Sequence, residues 1–175
     1  MNSEFYQKHC DEYYTAYTQL YSKLIRKPAA VKAITAVSKL LTYIVYAAYI
    51  LLLGYLVFTG DMRIIKVLAV PAAAFVIITA IRKHINALRP YEKYPLTSLV
   101  NKSTKGNSCP SRHTGCAVII ALACLYVNIP FGIFMLITAA LIGSSRPLLG
   151  VHFPLDVIFG AVLSLIIGSL GFFVI

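Results

Sequence analysis

Three stretches of this chain carry no charged residue: Leu40–Gly60, Thr114–Ser145 and Val157–Ile175. A fourth, from about Ile64 to Ile81, is interrupted only by Lys66, which sits near its start and can snorkel. About 20 apolar residues suffice to cross a hydrocarbon core of about 30 Å. Runs of this length and purity restrict the chain to an all-α, integral-membrane helical bundle. At 59% hydrophobic residues the chain exceeds the roughly half-apolar composition of soluble domains, and its mean hydropathy is +0.77. The first 30 residues are polar, aromatic and mixed in charge, without the pattern of a cleavable signal, so the apolar runs are expected to act as anchors themselves.

Two parts are expected. Residues 1–33 form an N-terminal segment in which Tyr14, Tyr17, Leu20, Tyr21, Leu24 and Ile25 recur at three- and four-residue spacings. That periodicity predicts an amphipathic helix at the membrane interface, ended by Lys27-Pro28. Residues 34–175 form the transmembrane domain of about five spans. Gly60-Asp61 turns the chain between the first two spans. Asn128-Ile129-Pro130 divides the Thr114–Ser145 run into two short helices of about 14–16 residues, roughly 21–24 Å each. Residues 91–109 are different in kind, mixing Tyr, Pro, Ser, Asn and Gly with Lys93, Lys102 and Lys105. A loop this long in a small bundle is a functional or disordered segment. Asn101-Lys102-Ser103 fits a glycosylation sequon, a pattern common by chance.

The charges outside the apolar runs fall in an informative order. Arg82 and Arg89 follow the second span, Ser111-Arg112-His113 precedes the third, Arg146 ends the fourth, and His152 and Asp156 precede the fifth. Even numbers of crossings separate these groups, so all of them face one mouth of the bundle. Ionisable groups at a membrane edge are costly and mark a functional site. Here their types make a phosphate pocket. Arg82 and Arg89 are seven residues apart, two helical turns on nearly one face, and guanidinium forks fit phosphate oxygens. Pro110-Ser111 opens a helix; Ser111 is placed to cap it, and first-turn NH groups favour an anion. Arg146 adds a further fork.

Two histidines flank this anion site. Asp156, four residues beyond His152, is placed to accept the Nδ1–H of that ring, which orients it and strengthens the other nitrogen. One histidine can then attack phosphorus in line while the other protonates the leaving oxygen, with arginines on the equatorial oxygens. No metal or other cofactor is implied, because no carboxylate cluster accompanies the site. The four cysteines, Cys10, Cys109, Cys116 and Cys124, form no C-x-x-C pair, so neither a disulfide framework nor a zinc site is supported. Net charge is +10. So little of the chain lies outside apolar runs that its partners are expected to be phosphorylated lipids and membrane headgroups rather than nucleic acid. Taken singly, each charged residue also has an ordinary reading as a helix stop, a cap, a dipole partner or a snorkelling belt; it is their coincidence at one mouth that argues for a site.

These residues resemble the motifs of the type 2 phosphatidic acid phosphatase superfamily, which includes vanadium haloperoxidases, bacterial acid phosphatases and glucose-6-phosphatase. The family motifs are K-x6-R-P, P-S-G-H and S-R-x5-H-x3-D. This chain has Arg82-x6-Arg89-Pro90, Pro110-Ser111-Arg112-His113 and Ser145-Arg146-x5-His152-x3-Asp156. The third matches at every defined position. Arg82 stands for a lysine, and Arg112 for a glycine whose backbone NH the family sets against phosphate. The resemblance spans about residues 64–175. It implies that His152 is the nucleophile forming a phosphohistidine, that Asp156 orients it, and that His113 is the acid for the leaving group and then the base for water. It also implies that Arg82, Arg89, Ser111, the Arg112 backbone and Arg146 bind phosphate.

The expected activity is hydrolysis of a lipid phosphomonoester or phosphoanhydride of the undecaprenyl diphosphate, phosphatidic acid or phosphatidylglycerophosphate class. The extra Arg112 favours a substrate with a second phosphate. The small chain fits a bacterial inner membrane. Family precedent puts the site outside the cytoplasm, whereas Lys23, Arg26, Lys27, Lys32 and Lys39 favour a cytoplasmic N-terminus, on the same side as the site if there are five spans. The rival reading is a non-catalytic lipid-headgroup binder or small transporter using the same basic mouth, which needs neither the histidine pair nor Asp156.

Overall fold

A computed structural model describes residues 4–24, 26–96, 98–100 and 104–174. The described chain is all-helical: α1 Glu4–Leu24, α2 Pro28–Thr59, α3 Ile64–Ile85, α4 Pro90–Lys93, α5 Arg112–Val127, α6 Ile129–Leu148 and α7 Pro154–Ser169, closing with a π-helical turn over Leu170–Val174. The Asn101-Lys102-Ser103 sequon lies outside the described residues.

Local chemistry sets the boundaries. Pro28 opens α2 at a position where its missing NH costs nothing. Gly60 closes it in the left-handed region (φ 67°), its NH reaching the carbonyls of Leu56 and Val57. The following turn is pinned by Arg63, which holds Asp61 at 2.6 Å. α3 stops at Asn86, also left-handed (φ 43°). Only Asn128 separates α5 from α6. Its side chain caps α6 by accepting the Phe131 NH at 3.0 Å. Gly132 is what lets the two helices meet, since a Cβ there would stand 2.1 Å from the Leu125 Cα.

The chain passes five times through the bundle, but not as five equal spans. Among the described residues four helical stretches are long and apolar enough to cross a membrane: Pro28–Thr59, Ile64–Lys93, Ile129–Leu148 and Pro154–Val174. α5, at 16 residues, is shorter. It is the central post, touched by α2, α3, α6 and α7 and buried without interruption from Ala117 to Cys124. A helix walled by protein has no lipid thickness to match. The first span is longer than the uncharged run that announced it, because α2 begins at Pro28 and takes in Lys32 and Lys39. Residues 28–33 therefore belong to this helix and not to the N-terminal segment. α6 likewise runs past Arg146 to Leu148.

The core joins Val45, Leu52 and Leu56 of α2 to Val67 of α3, Ile119 of α5, Met135 and Ile142 of α6 and Phe172 of the last turn. The outside is as apolar as the inside, with Phe58 91% and Leu51 73% exposed. A bundle hydrophobic on both its buried and its outer surfaces has lipid for a solvent, and the protein is an integral-membrane one. α1 lies against α2 and α7. Its buried positions are Tyr6, Cys10 and Tyr17; of the anticipated stripe Tyr17 is fully covered, Tyr14, Leu20, Tyr21 and Leu24 are half-buried, and Ile25 lies outside the described residues. The buried stripe is turned by its contact with Phe153 in the loop ahead of α7.

Candidate active site

A cavity of about 450 Å³ opens between the end of α3, the start of α5, the 104–107 segment and the loop that carries His152. Arg82, Arg89, Arg112, His113 and His152 line it, with Thr79, Lys83 and Lys105. Five of the eight anticipated residues therefore meet at one space. Ser111, Arg146 and Asp156 stand behind or beside it.

Arg82 and Arg89 come together by a route other than a shared helix face. α3 ends at Ile85, and Arg89 sits in an extended residue ahead of α4. Arg82 donates to the Pro110 carbonyl at 3.3 Å. Arg89 is 5% exposed and donates through Nε to the Gly106 carbonyl (3.1 Å) and through NH1 to the Val151 carbonyl (3.3 Å). Glu92, three residues on, accepts the NH groups of both Arg89 (3.0 Å) and Gly106 (2.8 Å). This carboxylate folds the 86–107 segment around the guanidinium. Its signature was an acidic residue at the third position of a Pro-initiated turn.

His152 is buried on the loop between α6 and α7. Its Nδ1 lies 3.7 Å from Asp156 Oδ2, close enough to feel the charge but too far for a hydrogen bond. Asp156 therefore does not accept the imidazole NH directly. Ser108 stands between them: its Oγ is 2.5 Å from Asp156 Oδ2 and 3.3 Å from His152 Nδ1. The direction of this chain follows from the groups themselves. An ionised carboxylate only accepts, so the Ser108 hydroxyl donates to it. Ser108 then receives from His152, whose Nδ1 must carry the proton. The Nε2 of His152 is left with a lone pair. Burial pushes this imidazole down to about 4, against the pull of Asp156, so at neutral pH it is uncharged. Nothing in residue spacing pointed to Ser108, a small hydroxyl in a polar loop.

Ser111 occupies the cap position of α5, but its hydroxyl pairs with that of Thr114 (3.1 Å) and caps no backbone NH. Its backbone matters more: Ser111 NH donates to the Asp156 carbonyl at 2.8 Å. Gly160, one turn further along α7, permits this approach, since a Cβ there would stand 2.5 Å from the Ser111 carbonyl oxygen. The segment before α5 and the start of α7 thus touch backbone to backbone. His113, in the first turn of α5, is half-buried; Arg112 is exposed, with its guanidinium 5.6 Å from the Phe75 ring centre.

Arg146 points elsewhere. It is 8% exposed, donates to the Thr42 hydroxyl of α2 at 3.3 Å, and has no hydrogen-bond partner for its Nε among the described residues. Among the described residues no three His, Cys, Asp or Glu side chains gather as metal ligands.

The cavity thus sets a buried, uncharged histidine with an oriented lone pair beside a second histidine and three arginines. The chain belongs to the PAP2 superfamily, whose family model matches residues 44–174. A curated relative is undecaprenyl-diphosphatase BcrC of Bacillus subtilis (strain 168), 36% identical over 84 residues, a match covering 48% of this chain and 43% of the relative. The chain thus aligns with less than half the length of that relative. Among solved structures, a transmembrane PAP2-type phosphatidylglycerolphosphate phosphatase from Bacillus subtilis superposes with a TM-score of 0.73 at 23% identity, covering 97% of this chain and 86% of the other. LpxE of Aquifex aeolicus superposes with a TM-score of 0.67 at 24% identity, covering 82% and 86%. Both share the fold.

Proposed function

We propose that the protein is a membrane-embedded phosphatase that hydrolyses a lipid phosphate or diphosphate through a phosphohistidine, without a metal ion. The observation that carries this reading is the pair His152 and His113 on one cationic cavity, with the lone-pair nitrogen of His152 defined by the Ser108–Asp156 chain. Arg82 and Arg89 hold the non-bridging oxygens. His152 Nε2 attacks phosphorus as the bond to the leaving oxygen breaks, and His113 gives that oxygen a proton. His113 then takes a proton from water, whose oxygen attacks the phosphohistidine, releasing phosphate and the free imidazole. The charge compensation that a metal would supply comes here from guanidinium groups, and the one carboxylate behind His152 is already occupied by protein donors.

The substrate class is a polyprenyl diphosphate such as undecaprenyl diphosphate. Two things support it: the identity shared with undecaprenyl-diphosphatase BcrC and the surplus of cations, Arg112, Lys83 and Lys105, around the cavity. The size of the chain fits a bacterial inner membrane, and family precedent puts the site outside the cytoplasm, against the count of lysines and arginines over residues 23–39. The test is phosphate release by purified protein from a panel of undecaprenyl diphosphate, phosphatidic acid and phosphatidylglycerophosphate, with excess EDTA. Turnover that survives chelation and is inhibited by vanadate is expected. Activity lost to EDTA and restored by magnesium would overturn the mechanism. Tight lipid binding with no release from any substrate would make the protein a headgroup binder.

A further inference from the structure

Asp156 is fully buried and receives hydrogen bonds from three separate parts of the chain. Phe153 NH (3.0 Å) and Ser108 Oγ (2.5 Å) both reach Oδ2. The Tyr6 hydroxyl donates to Oδ1 at 2.8 Å, across 150 residues of sequence. Phe153 and Ser108 belong to the segments that build the site in any case. Tyr6 belongs to α1, which lies outside the family match and outside every motif.

The contact is built, not grazing. Tyr6 is 6% exposed, and its ring meets Phe153 edge-on at 6.2 Å. Lys93 Nζ lies 5.5 Å from the Tyr6 ring centre and 5.7 Å from that of Phe153, joining α4 to the same cluster. One helical turn pair along, the Tyr13 hydroxyl donates to the Pro147 carbonyl at 2.8 Å, tying α1 to the end of α6. Burial and the neighbouring carboxylate both push the Tyr6 hydroxyl up, so it stays a donor throughout the working range of an enzyme.

The two carboxylate oxygens are thereby held differently. Oδ2 is directed at Ser108 and the imidazole beyond it, and Oδ1 is anchored by α1. The carboxylate turns as one plane about Cβ–Cγ, so a bond to Oδ1 restricts where Oδ2 points. We propose that Tyr6 is a positioning residue for Asp156 and, through Ser108, for the His152 ring, which makes α1 a wall of the active site rather than a peripheral helix at the membrane surface. This rests on His152 acting as the nucleophile.

The test uses the full chain, purified in detergent, with whichever lipid phosphate or diphosphate the wild-type protein turns over. Tyr6→Phe keeps the ring and removes the hydroxyl. The expected result is a fall in kcat of about tenfold with KM within about twofold, the size of one lost hydrogen bond to a charged group. Tyr13→Phe, which loses a bond to a backbone carbonyl away from the carboxylate, should change kcat less than twofold. The decisive arm is a double-mutant cycle. In an Asp156→Asn background, measured against its own residual turnover, Tyr6→Phe should cost less than twofold, because the charge it positions is gone. Unchanged kcat in Tyr6→Phe, or an equal loss in both backgrounds, overturns the proposal. So does a Tyr6→Phe protein that fails to fold while Tyr13→Phe folds, since Tyr6 would then hold the structure and not the carboxylate. A wild-type protein inactive on every substrate fails the phosphatase reading itself, a separate result from an active wild type matched by Tyr6→Phe.

Discussion

The cavity has two unlike walls. On one side His152, Asp156, Ser108 and Arg89 are buried, and each is held by hydrogen bonds to groups from distant parts of the chain. On the other, Arg112, Lys83 and Lys105 are exposed, and Arg82 and His113 are half-exposed. Groups that must keep an orientation to within a few degrees are locked into the protein interior, where hydrogen bonds are strong and alternatives costly. Groups that need only meet an anion stay flexible and in contact with water. The buried wall thus holds the proposed nucleophile, its orienting groups and one phosphate-binding arginine, and the open wall holds the remaining cations and the proposed acid, His113.

Substitutions sort along the same line. The largest effect is expected for His152→Ala, which should cut turnover by at least about 10⁴-fold and abolish phosphoenzyme formation. Acid-quench trapping with labelled substrate reads this directly, and label retained at wild-type levels would mean that the nucleophile is on the other wall. Asp156→Asn should follow, with about a 10²- to 10³-fold loss and near-normal substrate binding, since the ring loses its orienting charge. Ser108→Ala should cost about tenfold, because it interrupts the relay without removing the charge. A Ser108→Ala enzyme as active as wild type would show the 3.7 Å approach of His152 to Asp156 to be sufficient alone.

On the open wall, His113→Ala should slow natural lipids by about 10²-fold and largely spare an activated phosphate ester, whose leaving group needs no proton. Equal losses on both would give His113 another task. Arg112→Gly is expected to be milder still, a few-fold at most, and greater on a diphosphate than on a monophosphate in paired kcat/KM measurements; equal losses would leave no reason for a diphosphate preference. The smallest effect is on stability. His152 is held at about 4 in the folded protein, against an ordinary value near 6.5. Between those values the unfolded chain takes up a proton that the folded one refuses, so stability is lost as pH falls from about 6.5 towards 4. His152→Gln should flatten that part of a plot of melting temperature against pH.

The bundle and its mouth were readable because each rests on a feature local in sequence. Uncharged runs mark helices in lipid, and counting crossings brings Arg82, His113 and His152 to one end. What escaped was set by geometry between segments. Arg82 and Arg89 were expected on one helix face; they meet because Asn86 breaks that helix and Glu92 folds the next turn back. A four-residue spacing promised a direct bond from His152 to Asp156, but His152 precedes the helix and does not share its register, which leaves room for the Ser108 hydroxyl. Arg146 was expected in the pocket from its place at the end of the fourth span, and its guanidinium is turned towards Thr42 on α2, a partner no spacing could indicate. The length of α5 was anticipated, but its central place depends on which helices surround it.

The backbone contact between Ser111 and Asp156, made possible by Gly160, also bears on how far apart the two histidines stand. His113 follows Ser111 by two residues and His152 precedes Asp156 by four, so both rings ride on segments joined with no side chain between them. Close-packed backbone has little compliance. The spacing of the two histidines is therefore set by a seam of backbone against backbone, and not by the side chains that line the cavity.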